Sequence, residues 1–136
     1  MKENITLLER LLDHSKSAKI FWAHTGWVVM GNKISTLCDK LLGDHSNLYH
    51  SIKITETAIQ NRMIEADGTL STEWLAVFKK YPSRFILGSD QFYQAPEFSL
   101  SLPDRAQKTF FLLDLLSTKI KNKFSYLNVI EIYKIH

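Results

Sequence analysis

The stretch Ala18-Lys19-Ile20-Phe21-Trp22-Ala23-His24-Thr25-Gly26 decides how this chain is read. Residues 18–23 form a short, largely apolar run, the pattern of a strand covered on both faces in a parallel sheet. His24-Thr25-Gly26 follows where the run stops, so His24 stands at the carboxyl end of the predicted strand.

Upstream of this strand, Ile5, Leu7, Leu8, Leu11 and Leu12 recur at near-helical spacing and predict a one-faced helix over residues 4–14, ended by the polar connector 15–17. Downstream, Ile34, Leu37, Cys38 and Leu41 share one face of a second helix over 32–42, with Gly43 placed to end it. Residues 47–54 suit a second strand. Residues 55–69 have no single reading beyond the turn signal Asp67-Gly68. Ser71 is placed to cap a helix carrying Glu73, Trp74, Leu75, Val77 and Phe78, and Pro82 lies just past its end. A third strand, Arg84-Phe85-Ile86-Leu87, runs into Gly88-Ser89-Asp90. Residues 91–103 show no clean period and predict a long loop. Two helices, over 104–116 and 118–133, close the chain, the second capped by Ser117.

This alternation of helix and strand argues for parallel strands joined by crossover helices. Over three such units an open doubly wound sheet and a slice of an eight-stranded barrel look alike, and periodicity does not separate them. With 136 residues, 45% of them hydrophobic and 23% charged, the chain is expected to bury one core. The net charge, 17 minus 14 or +3, is small and dispersed, which argues against nucleic acid as a partner. Lys119, Lys121, Lys123 and Lys134 gather late, but at helical spacing among apolar residues, as on a solvated helix face. Cys38 is the only cysteine, so no intrachain disulfide can form. A reducing, cytoplasmic setting is the simplest expectation. The apolar run 110–116 is broken by Asp114 and is far shorter than the roughly 20 residues of a membrane-spanning helix, so no membrane role is expected.

Three pieces of the chain, Lys19-Ile20-Phe21-Trp22-Ala23-His24-Thr25-Gly26-Trp27, Asn47-Leu48-Tyr49 and Tyr81-Pro82-Ser83-Arg84-Phe85-Ile86-Leu87-Gly88-Ser89-Asp90, follow one another at telling separations. In that order they resemble the later part of amidohydrolase-related (β/α)8 barrels, metal-dependent hydrolases with decarboxylase relatives. The first piece resembles the sixth barrel strand with its active-site histidine, and the last resembles the eighth strand with its aspartate. Asn128 also stands where the family often carries an asparagine. The resemblance implies an α/β fold in which residues 1–136 form a single partial domain. That domain would be the C-terminal portion of a TIM barrel, about three β/α units covering strands six to eight, plus C-terminal helices. It implies catalytic roles for His24 and Asp90, Asp90 as a metal ligand, a divalent metal with zinc first, and a small-molecule substrate. In a barrel enzyme such groups come from the carboxyl ends of different strands and converge on one mouth. By the same resemblance Asp90 would bind the metal and accept a proton from metal-activated water, while His24 would orient or polarise substrate or water.

Two departures limit what the resemblance implies. The family's metal site is founded on a His-X-His pair, and none occurs among His14, His24, His45, His50 and His136. The middle strand reads Asn47-Leu48-Tyr49-His50-Ser51-Ile52-Lys53, where relatives tend to have an acidic residue near Ser51 and a small hydroxyl residue near Lys53. Lys53 changes the pocket charge, so substrate preference is not carried over. His50 is read either as a ligand or as a solvent-facing or core-satisfied histidine. Most aromatic residues, among them Trp22, Trp74, Phe78, Phe85, Phe110 and Phe111, are assigned to packing, while Trp27 and Phe92 lie just after the two active-site strands and are candidates to line a pocket.

Two accounts of function follow. In the first, the chain belongs to a hydrolase whose remaining strands lie upstream or on a separate first-half polypeptide, and alone it is inactive and binds no metal. In the second, it is a non-catalytic truncated or decayed fragment, or a small binding domain, of that lineage. A three-stranded slice also has open edges, so self-association is expected of the isolated chain.

Overall fold

A computed structural model of the chain describes residues 2–25, 34–54, 63–88 and 102–135. Helix α1 spans Lys2–His14, strand β1 Ile20–Trp22, helix α2 Ile34–Asp44, strand β2 Leu48–Ile52, helix α3 Thr72–Lys80 and strand β3 Phe85–Leu87. Helices α4 (Leu102–Asp114), α5 (Thr118–Asn122) and α6 (Asn128–Tyr133) follow, α5 and α6 being joined without a break by a π turn, Lys123–Leu127. The expected helix over 118–133 is therefore present as one rod with a π turn in it.

The strands form one parallel sheet in the order β1-β2-β3. Register sets Trp22 beside His50 and His50 beside Phe85, with Ile20 opposite Leu48 and Ile52 opposite Leu87. Side chains alternate across a strand, and β2 shows this plainly. Leu48, His50 and Ile52 are buried, while Tyr49 and Ser51 are half-exposed. The buried face meets the helices through a cluster of rings, in which Phe78 stands edge-on to Phe85 at 5.0 Å and to Phe124 at 5.1 Å. On the other face Phe21 stacks between Tyr49 and Tyr133, at 5.2 and 5.7 Å.

Buried side-chain amides fasten the helices to the strands. Asn47 Nδ2 donates to the carbonyls of Leu12 and Ser15, tying the end of α1 to the start of β2. Arg84 donates from Nε to the Leu48 carbonyl at 2.7 Å and from Nη2 to the His45 carbonyl, and its guanidinium lies over the Tyr49 ring. The turn at Asp67-Gly68 is present, with Gly68 at φ 84 and Asp67 Oδ1 accepting from the Thr69 amide and hydroxyl.

Several expectations need correction. Gly43 does not end α2; it lies inside the helix, where a Cβ would come 3.1 Å from the Tyr81 hydroxyl, so its smallness serves helix packing. Ser71 and Ser117 hold the N-cap positions of α3 and α5, but neither hydroxyl makes a capping hydrogen bond. Helix α4 begins at Leu102, so residues 102 and 103 belong to it, and Pro103 is accommodated in the first turn, where its missing N–H costs nothing. Trp74 and Phe78 are core residues, but Phe110 and Phe111 are 57% and 44% exposed. The buried stripe of α4 runs instead through Thr109, Leu112 and Leu113, which turns the two rings outward. Among the described residues, no helix is long and apolar enough to cross a membrane.

Candidate functional site at the strand carboxyl ends

Strand β1 ends in a tight turn, Ala23–Thr25, in which two successive residues are left-handed: His24 at φ 56, ψ 22 and Thr25 at φ 54. Side chains with a Cβ rarely adopt this backbone, which costs roughly 1–2 kcal/mol per residue, and a β-branched threonine there is rarer still. Something must hold it. The His24 amide donates to the Ser51 hydroxyl at 3.2 Å, and the Thr25 hydroxyl donates to the Ser51 carbonyl at 3.0 Å. Both hydrogen bonds converge on the half-exposed face of β2, and Thr25 is fully buried beneath them.

Strand β3 closes the group from the other side. The Gly88 amide donates to the Ile52 carbonyl at 2.9 Å, and a Cβ at Gly88 would stand 2.8 Å from the Ser51 Cβ and 2.9 Å from its Oγ. Only a glycine lets β3 leave the sheet this close to Ser51. Gly88→Ala is expected to lower stability by about 1–3 kcal/mol, as overpacking in a tight site does. Urea unfolding followed by circular dichroism checks this; an unchanged midpoint would show that Ser51 can move aside.

The three strand ends therefore meet at Thr25, Ser51 and Gly88. His24 is half-buried there, and Lys53, also half-buried, follows the end of β2. The groups gathered there are one imidazole, two hydroxyls engaged in holding the turn, and one ammonium. An imidazole can donate and accept hydrogen bonds, and an ammonium can meet an anionic group. Sequence reasoning selected His24 but did not foresee Thr25 and Ser51 as its supports. The signal available was the strand period, which puts Ser51 on one face with Tyr49 and Lys53.

Asp90, Trp27 and Phe92 lie outside the described residues, as does the loop expected before residue 102. His50 is not solvent-facing. It is fully buried on the opposite face between the rings of Trp22 and Phe85, at 5.5 and 5.4 Å, and among the described residues neither ring nitrogen has a hydrogen-bond partner. Cys38 is also fully buried, and burial pushes its thiol up, away from the reactive thiolate. A cleft of about 320 Å3 lies between α2 and α3, lined by Ser35, Asp39, Glu73 and Lys80 among others, and no strand residue reaches it.

Among the described residues no group of three or more histidine, cysteine or acidic side chains could hold a metal. A catalytic zinc needs three protein ligands and an open position, and the strand-end donors of the described residues do not make such a set. The chain matches no known protein-family model, no curated protein and no solved structure.

Proposed function

We propose that this chain supplies the last three β/α units of a (β/α)8-barrel hydrolase of the amidohydrolase-related type, with its site at the strand carboxyl ends. The observation that carries this reading is the meeting of His24, Ser51 and Gly88 at one end of a parallel sheet ordered β1-β2-β3. That is the arrangement by which a barrel gathers groups from distant positions of the sequence. His24 acts on a small-molecule substrate or its attacking water, and Lys53 gives the mouth a positive charge. Asp90, two residues beyond Gly88, completes the pair of catalytic residues, and Trp27 and Phe92 line the pocket. The divalent metal of the reading, zinc first, would supply an activated water. Asp90 would be one of its ligands, and the others would come from the first-half strands. The setting is cytoplasmic.

The sheet supports the need for a partner. Among the described strands, β1 and β3 each pair on one side only. The face carrying Phe21, Tyr49, Ser51 and Ile86 is partly open to water. Leaving a few hundred Å2 of apolar surface uncovered forfeits several kcal/mol at about 25 cal/mol per Å2, a large part of a domain's 5–15 kcal/mol. The isolated chain is expected to self-associate, to hold no stoichiometric metal and to be inactive. Co-expression with a first-half polypeptide carrying a His-X-His strand is expected to give a soluble complex. That complex should bind one metal, which Asp90→Ala releases. Light-scattering chromatography and elemental analysis check both arms. A monodisperse, cooperatively unfolding monomer at high micromolar concentration would overturn the partial-barrel reading, leaving the chain as a small binding domain.

A further inference from the structure

Two consecutive left-handed residues carrying β-carbons are strained backbone, and strain persists only where surrounding structure over-determines it. Here one residue of the neighbouring strand meets both positions. Ser51 accepts from the His24 amide with its hydroxyl and from the Thr25 hydroxyl with its carbonyl, so the same residue addresses both strained positions. Gly88, packed against the Ser51 side chain with no room for a Cβ, limits where that side chain can stand. A change of φ from positive to negative would swing the His24 Cα–Cβ bond, and with it the imidazole, to a different direction at the strand end.

We propose that Ser51 is a positioning residue for His24: its hydroxyl and carbonyl hold His24 and Thr25 left-handed and so fix the direction in which the His24 imidazole leaves the backbone. The functional weight of this assignment rests on the reading of the strand ends as the site. The geometry itself does not. A serine at this position does what an acidic side chain could not do as well, because it is small enough to stand against Gly88 and still accepts a hydrogen bond.

The test is nuclear magnetic resonance on the full chain, reading the strong intraresidue HN–Hα cross-peak that marks a positive φ, together with the His24 ring signals. In Ser51→Ala the His24 cross-peak is expected to be lost and its ring signals to move, while the amides of buried residues away from the strand ends, Leu12 and Ile120, keep their positions. In Thr25→Val, which leaves β2 untouched and covers the case of Ser51→Ala failing to fold, the Thr25 cross-peak is expected to be lost. Unchanged His24 signals in Ser51→Ala, or shifts spread evenly to Leu12 and Ile120, would overturn the assignment and leave Ser51 as an ordinary sheet residue. Failure of the hydrolase reading looks different: an inactive, metal-free complex in which the His24 cross-peak still depends on Ser51.

Discussion

Lowering the pH from about 6.5 to about 4.5 is expected to cost this protein roughly 2–3 kcal/mol of stability through His50 alone. Burial, with the Arg84 charge adding to it, drives the His50 imidazole down to about 3 from its ordinary 6.5. The neutral ring is thus favoured in the folded chain, between Trp22 and Phe85, where a proton would bring a charge to a place with no acceptor among the described residues. The unfolded chain binds its proton near pH 6.5 and the folded chain does not until near 3, so between these values the unfolded state holds more protons. Stability is therefore full above about 6.5 and falls by about 1.4 kcal/mol per pH unit below it. Asp13, Asp39, Asp44 and Asp67 are all held below the ordinary carboxylate value, chiefly by hydrogen bonds to Lys16, Lys80, Lys40 and Thr69. Their contributions are lost only as the pH falls below the carboxylate range, so the His50 window stands clear of theirs.

His50→Leu separates the two. Replacing a buried ring whose two nitrogens are unpaired among the described residues with an apolar side chain of similar volume is expected to leave stability at pH 7.5 equal or higher. The advantage of the variant should then grow as the pH falls. Urea midpoints at half-unit steps from pH 7.5 to 4.5 measure it. Parallel curves for the two proteins would mean that His50 is reached by water or finds a partner.

The legible part of the fold is the part written in local patterns. Apolar runs at 18–23 and 84–87 announce β1 and β3, and the near-helical spacing of Ile5, Leu8 and Leu12 announces α1, because side-chain burial follows the backbone period; Leu7 and Leu11, expected on the same face, are each 53% exposed. The position of His24 at a strand end was legible for the same reason. What holds His24 was not, since the Ser51 contact spans 27 residues and depends on the register of β1 against β2, which no local pattern encodes. Gly43 misleads because a glycine looks the same whether it is needed for a left-handed cap or for the approach of Tyr81. Phe110 and Phe111 mislead because adjacent helical residues lie about 100 degrees apart, and the stripe through Leu112 and Leu113 is already full without them. His50 alternates correctly with Leu48 and Ile52, so its burial was readable. That neither ring nitrogen is paired among the described residues belongs to tertiary packing alone.

Asn128→Asp is expected to destabilise the fold by about 3–5 kcal/mol at pH 7, the largest effect of any single substitution considered. Asn128 is fully buried at the start of α6, and its Nδ2 donates to the carbonyls of Pro82 at 2.9 Å and Phe85 at 2.7 Å. Those carbonyls flank Arg84 at the entry to β3, so one side-chain amide joins the terminal helix to the strand that leads to Gly88. A carboxylate keeps the shape and removes both donors, leaving two buried carbonyls facing a buried negative charge. Protonation restores at most one O–H donor. The penalty therefore belongs to the ionised form: the new carboxyl titrates higher in the folded chain than in the unfolded one, and the deficit against wild type should narrow as the pH falls toward 4. This runs opposite to the His50 effect, which both proteins share and which cancels in their difference. Urea unfolding at pH 7 and pH 5 gives the two deficits. A deficit under about 1 kcal/mol at pH 7, or one that widens at pH 5, would show that water reaches the pair of carbonyls and that α6 is not fastened to β3 through Asn128.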